Sequence, residues 1–280
     1  MQLLPSADLQ PYIKHYLFLA SATDSLKQLR LFSDGHAGMV FCLSDSPIFI
    51  DQAKPLPPSF LYGQVDAFKD LYIQHQFSMV AVVFKPDGLF NLLGISAHEL
   101  RDSIIPLQDI VGHKSRLLQE ALLEQKQLTA RLNTLNTFFR TFAQVQKDYG
   151  HTLVASSLAF IAEHKGNVTV QHLVKHTGYT ERHIERAFSE SIGLSPKKFT
   201  GIVQLHAFLK LLQQKAHLGN MTSLSAEAGY FDQSHLIRSF KRYTGITPST
   251  YLHQTHRLAI NFMEFQESKV PMSGLYNLSK

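Results

Sequence analysis

The spacing of apolar and polar residues changes partway along this chain. Up to residue 84 the apolar positions form short runs: Tyr16–Ala20, Lys27–Phe32, Ala37–Leu43, Ile48–Asp51, Phe60–Val65, Leu71–His75 and Met79–Phe84. Turn-forming residues separate them at Ser33-Asp34-Gly35, Ser44-Asp45-Ser46-Pro47 and Pro55-Leu56-Pro57-Pro58. Runs this short at this spacing predict a β-rich sandwich or barrel. Leu9, Ile13, Tyr16 and Leu17 predict a short helix or an extended lead-in. The segment Phe84–Phe90 closes the strand region and opens a helix, with Pro86 in its first turn. Ser96–Leu100 reads as one further helical turn.

From His113 to Lys147 the period becomes helical. Leu117, Leu118, Ala121 and Leu122 form one apolar face, and Leu128, Leu132, Leu135, Phe138, Phe139 and Phe142 another. Two helices are predicted, at 113–126 and 128–147. Asp148-Tyr149-Gly150-His151 is the expected linker.

Beyond the linker the chain repeats itself. Arg186-Ala187-Phe188 returns as Arg238-Ser239-Phe240, 52 positions later. Gly193-Leu194-Ser195-Pro196 returns as Gly245-Ile246-Thr247-Pro248 at the same offset, and Phe199 as Tyr251. Leu173, Gly178 and Tyr179 return as Leu224, Gly229 and Tyr230 at an offset of 51. The slip falls at Phe231, inside a turn. A shared offset with one slip at a loop indicates a duplicated structural unit.

Each unit reads as helix, tight turn, helix. In the first, Thr169 is the expected N-cap, Leu173, Val174 and Thr177 form the buried face, and Gly178 makes the turn. Thr180 caps the second helix, which turns Ile184, Ala187 and Phe188 inward and Glu181, Arg182, Glu185 and Arg186 outward. In the second unit Gly229 makes the turn and Asp232 caps. Leu236, Ser239 and Phe240 point inward, while Gln233, Ser234, His235 and Arg238 lie on or near the outer face. Ser195-Pro196 and Thr247-Pro248 each predict the start of a closing helix. A helix of this kind fits the major groove of B-DNA, where Arg, Gln and Ser bond base edges or phosphates.

Residues 155 to 255 resemble the DNA-binding domain of the AraC/XylS family of bacterial transcription regulators. The resemblance rests on Leu173, Gly178, Arg186, Phe188, Gly193, Ser195-Pro196 and Phe199 in the first half. In the second it rests on Glu227, Gly229, Asp232-Gln233-Ser234-His235, Arg238-Ser239-Phe240-Lys241, Gly245 and Thr247-Pro248. It implies two helix-turn-helix subdomains joined by a long helix, about Lys197 to Gln214, with the recognition helices entering successive major grooves. The resemblance also implies that helices placed like 113–147 dimerise; packing on the β-rich domain is the other reading. Two positions depart from the family. Gln204 stands where it usually has Arg, and Ser225 where it usually has Ala. Phe32–His36, Ala81–Gly88 and Pro106–Gly112 give a weaker likeness to the effector or oligomerisation domains that precede such DNA-binding domains.

Charge sharpens this picture. Residues 1–150 carry 13 Lys/Arg against 14 Asp/Glu, and residues 151–257 carry 12 against 6. The basic excess lies in the duplicated region, as a phosphate-binding surface requires. Arg186 and Arg238 are the leading candidates for DNA contact, followed by Arg182, Glu185, Gln233, Ser234 and His235. Glu185 serves either as a base contact or as a partner of Arg182 or Arg186. Lys197, Lys198, Lys241 and Arg242 are candidates for phosphate.

The remaining features bound the function. The single cysteine, Cys42, lies in an apolar run and fits a reducing, cytoplasmic location. There is no apolar leader, no 18-residue apolar span, no HExxH, CxxC or GxSxG, and no glycine-rich phosphate loop. His172 and His176 have helical i,i+4 spacing but no further ligand beside them. Neither enzymatic activity nor a metal or other cofactor is expected. Phe18, Phe32, Phe41, Phe49, Phe60, Tyr62, Tyr72 and Phe84 either fill a core or wall a ligand pocket, with His15, His36, His75 and Arg30 to orient a polar group.

The expected architecture is α+β. A β-rich domain spans 1–112, a helical segment and linker 113–150, an all-α DNA-binding domain 151–257, and a tail 258–280 that extends the last helix and then frays. The expected partner is double-stranded promoter DNA, with RNA polymerase added for an activator. Two readings of the N-terminal domain stay open: control by a small-molecule effector, or a ligand-independent role in homodimerisation or protein contact.

Overall fold

The computed structural model describes residues 1–22, 27–50, 54–73, 75–143, 152–215, 221–253, 255–259 and 262–265. Two six-stranded antiparallel sheets form the N-terminal domain. The first contains β1 (Gln2–Leu3), β2 (Ile13–Ser21), β4 (Gly38–Cys42), β7 (Ser59–Tyr62), β9 (Phe77–Phe84) and β10 (Ile104–Pro106), in the order β1-β2-β9-β4-β7-β10. The second contains β3 (Lys27–Phe32), β5 (Ile48–Ile50), β6 (Lys54–Pro55), β8 (Phe68–Ile73), β11 (Thr255–Ala259) and β12 (Phe262–Phe265), in the order β11-β12-β3-β8-β5-β6.

Strand side chains alternate between faces, and here both faces of both sheets are covered. Leu17, Val40, Phe60 and Ala81 of the first sheet meet Leu29, Leu71, Ile73 and Phe262 of the second in a shared core. The outer face of the first sheet, with Tyr16, Met39, Val82 and Phe84, is roofed by helices. These are α1 (Gly88–Leu93), α2 (Leu107–Val111), α3 (Lys114–Glu124) and α4 (Leu128–Ala143). The outer face of the second sheet carries Arg30, Phe32, Phe68, Met263 and Phe265. It is covered by α8 (Pro196–Lys215), α10 (Gln233–Thr244) and α11 (Pro248–His253), which share one core with α5 (Thr152–Glu163), α6 (Val170–Thr177), α7 (Glu181–Ile192) and α9 (Met221–Glu227). Among the described residues no helix is long and apolar enough to cross a membrane.

Most sequence-predicted strands occur, with edges displaced by a few residues. The lead-in becomes a 3-10 turn at Ala7–Leu9 followed by strand. The first helix starts later than expected: Asp87 is its N-cap, so Pro86 precedes the helix instead of occupying its first turn. Of the two readings of the predicted helical segment, packing on the sheet accounts for Leu118, Leu122, Leu135 and Phe139, all buried under it. The Phe139 ring meets Phe84 edge-on, with centroids 5.9 Å apart. Leu117 and Leu123 of α3 remain exposed. The expected linker, 148–151, lies outside the described residues.

The tail departs from expectation. Residues 255–259 and 262–265 do not extend the last helix. They form the antiparallel pair β11–β12, and β12 pairs antiparallel with β3 through Phe262↔Leu31, Met263↔Arg30 and Glu264↔Leu29. Glu264 accepts an ion-paired hydrogen bond from Lys27. Strand β12 thereby joins a sheet that also contains β3, more than 200 residues earlier.

Between the two sheets lies a cavity of about 70 Å³. Its walls are mainly apolar, and His15, Asp34, Tyr62, Lys69, Asp102 and Ser103 add polar atoms. Of the residues considered for a pocket, only Phe60, Tyr62 and His15 line it. Phe32 and Arg30 face the other side of their sheet, where they meet the C-terminal domain. His36 is half-buried and lies 2.7 Å from Lys14 Nζ through Nε2. Burial pushes the His15 ring down to about 4, so it is neutral near pH 7.

Phe139→Ala should lower stability by about 3–5 kcal/mol, the usual cost of truncating a fully buried Phe, read as a shifted urea midpoint by circular dichroism. A loss below about 1 kcal/mol would mean that α4 contributes little to holding the first sheet.

Candidate nucleic-acid interface

The two repeated units fold alike. Thr169 accepts from His172 N at 3.3 Å and donates its own N–H to His172 Nδ1 at 3.4 Å, which closes a capping box at the start of α6. This gives His172 a local structural role. His176 stacks on Phe160 and lies 3.0 Å from Ser156 Oγ. The turns contain Gly178 and Gly229 at φ +75° and +76°, a left-handed conformation that L side chains rarely adopt. Thr180 is the N-cap of α7, but its side chain makes no cap hydrogen bond. Asp232 does cap α10, accepting from His235 N at 2.6 Å.

Behind each outer helix the same aromatic contact recurs. Phe188 meets Phe199 at 6.1 Å and 70°, and Phe240 meets Tyr251 at 5.8 Å and 72°. These pairs are the equivalents in the sequence repeat, so the duplication extends to packing geometry. The joining helix α8 buries Phe199, Ile202, Leu205, Phe208, Leu209 and Leu212. It therefore belongs to the cores of both units.

Ile184, Phe188 and Ile192 are buried on α7, as are Leu236, Phe240 and Tyr243 on α10. The opposite faces expose Arg182 and Arg186 on α7, and Gln233, Ser234, His235, Arg238, Lys241 and Arg242 on α10. Among the described residues Arg186 and Arg238 make no ion pair, so their guanidinium groups are available to a ligand. Glu181 accepts from Gln171 Nε2 at 2.9 Å. Glu185 is half-buried, and burial followed by the Glu181 charge raises its pKa. It forms no ion pair with Arg182 or Arg186 among the described residues, contrary to one of the two readings of that side chain.

Residues 173–254 match a family described as a helix-turn-helix domain. This region is an AraC-type helix-turn-helix domain. Residues 1–106 match a domain of unknown function (DUF6597). The lactose operon transcription activator of Staphylococcus xylosus is 25% identical over 121 residues, 43% of this chain and 43% of that protein. The HTH-type transcriptional regulator YbfI of Bacillus subtilis (strain 168) is 27% identical over 142 residues, 50% of this chain and 49% of that protein. The chain thus spans less than half the length of these two curated relatives. A crystal structure of ToxT from Vibrio cholerae superimposes with a TM-score of 0.46 at 11% identity, covering 84% of this chain and 98% of that one.

Within the AraC-type domain, the predicted phosphate contacts divide. Lys197 is exposed, whereas Lys198 is only 14% exposed and its Nζ lies 2.6 Å from Asp66 Oδ1 of the N-terminal domain. Arg101, and after it Lys198, hold the Asp66 carboxyl down at about 2, so it is ionised near pH 7. Asp66 thus stands at Lys198 where a phosphate would stand, and no spacing in the sequence pairs these two residues. Gln204 donates to the carbonyls of Ala228 and Gly229 at 3.1 and 2.9 Å, tying α8 to the turn of the second unit. That departure from the family pattern serves the domain's structure. Ser225 is buried and bonds back to Thr222 O. Phe231, the extra residue of the second turn, is 94% exposed beside the cap of α10. The repeat locates it, but nothing in the spacing tells of its exposure.

The two caps should respond differently. Asp232→Ala should cost about 1 kcal/mol, in the range for a working N-cap, and Thr180→Ala should cost less, as measured by chemical denaturation of each variant. Equal losses would contradict the capping geometry.

Proposed function

We propose that this chain is a sequence-specific DNA-binding transcription regulator. The observation that carries the reading is a matched pair of exposed arginines, Arg186 and Arg238, at equivalent positions on α7 and α10 of one duplicated unit. The joining helix has 20 residues. At 1.5 Å per residue it is about 30 Å long, close to the ~34 Å between successive turns of the major groove. A joining helix of that length suits two reading helices on one face of a duplex. Arg182, Glu185, Gln233, Ser234 and His235 are proposed to read base edges alongside the two arginines. Lys197, Lys241 and Arg242 serve phosphate, and Lys198 joins them once Asp66 lets it go. Promoter DNA is the partner on this reading, with RNA polymerase for an activator.

The cavity between the sheets favours effector control over a ligand-independent N-terminal domain. Its apolar walls and few polar groups suit a small, largely uncharged molecule. Two of its lining charges, Lys69 and Asp102, are 3.3 Å apart and neutralise each other. A homodimer is proposed to use α3, whose Leu117 and Leu123 are exposed.

The test is binding of the purified chain to fragments of its own upstream region across a salt series. Tight, sequence-selective binding with a steep salt slope is expected. Arg238→Ala should lose about 1–3 kcal/mol of specific binding while non-specific binding persists, and Lys241→Ala should reduce the salt slope by about 1. Weak, sequence-blind binding unaffected by Arg238→Ala would refute the reading. Compounds that raise the melting temperature without altering DNA affinity would favour the ligand-independent alternative.

A further inference from the structure

The second sheet is a wall one strand thick, with the cavity on one side and the AraC-type domain on the other. On β3, Leu29 and Leu31 face the sandwich interior, and Arg30 and Phe32 face the helices. On β8, Lys69 and Leu71 line the cavity, while Phe68 and Asp70 face outward. On β12, Phe262 lines the cavity and Met263 packs into the helical core. The registers align Met263, Arg30 and Asp70 in one row across the sheet.

That row grips the second reading helix at its C-terminal end. Arg30 is 1% exposed and forms a two-pronged ion pair with Asp70, at 2.6 Å for both bonds. Its Nη1 donates to Thr244 O, the carbonyl of the last residue of α10, at 3.2 Å. Phe68 and Phe265 flank the guanidinium at 4.1 and 4.9 Å. Gly245 follows the helix at φ +74°, and a Cβ there would strike Phe68 and Arg30 at 2.5 and 2.7 Å. The backbone of the helix end is thus fitted against the wall itself. The hairpin adds a covalent tie: β11 follows α11 closely, and Thr255 Oγ1 donates to Tyr251 O at 2.7 Å.

We infer that this wall converts occupancy of the cavity into release of the second helix-turn-helix unit, through the Arg30–Thr244 contact and the β11–β12 hairpin. The inference rests on the proposed effector site and names how that site acts. Size supplies the force. The cavity measures about 70 Å³, whereas a dry apolar cavity that accepts a benzene ring is about 150 Å³. A ring-sized apolar ligand therefore enters only by displacing wall residues, and Leu31, Leu71 and Phe262 are among those on the second sheet. Packed sheets shift between discrete arrangements instead of deforming smoothly, so those displacements carry Arg30, Asp70 and Met263 with them. In the docked arrangement Asp66 also holds Lys198. Release returns that lysine to phosphate, so the undocked population binds DNA more tightly.

Substitutions in the opposite sheet test this without a known ligand. Ala81 lines the cavity from β9 and makes no contact with the clamp row, so any effect must cross the cavity. Ala81→Leu and Ala81→Phe fill it to increasing degrees, and the milder variant serves if the larger one fails to fold. Arg30→Met combined with Asp70→Asn removes the clamp and leaves no buried charge unpaired. Two readouts are taken on the full chain: hydrogen exchange of the Gly245 and Ile246 amides without DNA, and affinity for an upstream DNA fragment. The filled variants and the clamp variant should each speed that exchange at least tenfold, raise DNA affinity at least threefold and steepen the salt slope by about 1. Adding Ala81→Leu to the clamp variant should change neither readout further. Unchanged exchange in folded Ala81 variants, or effects that simply multiply in the combined variant, would overturn the coupling. If wild type and all variants fail to bind any duplex while exchange responds as expected, the coupling of cavity to helix stands and the DNA-binding reading falls.

Discussion

Alternation of side chains across a β-strand is the constraint on which this structure depends. A strand that is apolar on both faces needs both covered. The first sheet meets that requirement with its own roof of helices, and the second meets it with the helix-turn-helix half of the chain. Without that cover Phe32, Phe68 and Met263 would be left in water, and Arg30 would lose its partner at the end of α10. The two halves are therefore joined by a shared hydrophobic core as well as by a linker, and Arg30 is the polar group that this core must accommodate. A fully buried guanidinium is tolerable because Asp70, a helix-end carbonyl and two aromatic faces surround it.

The C-terminal half follows a different economy. One small unit is used twice, and each copy locks its outer helix with an edge-on aromatic pair and a left-handed glycine turn. The long helix between them supplies a face to each copy. The spacing of the outer helices is thereby set by the rigidity of a continuous helix instead of by a flexible connection. Against that common frame the copies differ in charge: α7 carries three carboxylates, Glu181, Glu185 and Glu190, and α10 carries none. The copies accordingly differ in the charge of their outer helices, the second being the more basic.

Local features were legible in the sequence, and long-range pairing was not. Gly178, Gly229, Thr169 and Asp232 announced turns and caps because the cause lies within a few residues of the effect. The repeat was legible because duplication preserves spacing. Arg30, by contrast, sits in an alternating strand whose two faces are both buried, so its pattern cannot say which face meets which neighbour. That is why it was weighed as a pocket residue. Lys198 looked like an exposed cation because nothing near it in sequence is acidic; its partner, Asp66, lies in another domain. The final hairpin was missed for a related reason. Its apolar residues read equally well as the end of a helix, and only the open edge of β3 decides between the two.

The hairpin has a consequence for biogenesis. Lys27 and Glu264, which join β3 to β12, are 237 residues apart. At ~5–20 residues per second, translation separates them by roughly 10–50 s. Throughout that interval the edge of β3 is an unpaired strand with an apolar face, the kind of surface that recruits other chains. The nascent N-terminal domain must wait for β12 before its second sheet is complete, unlike a chain whose domains close one after another.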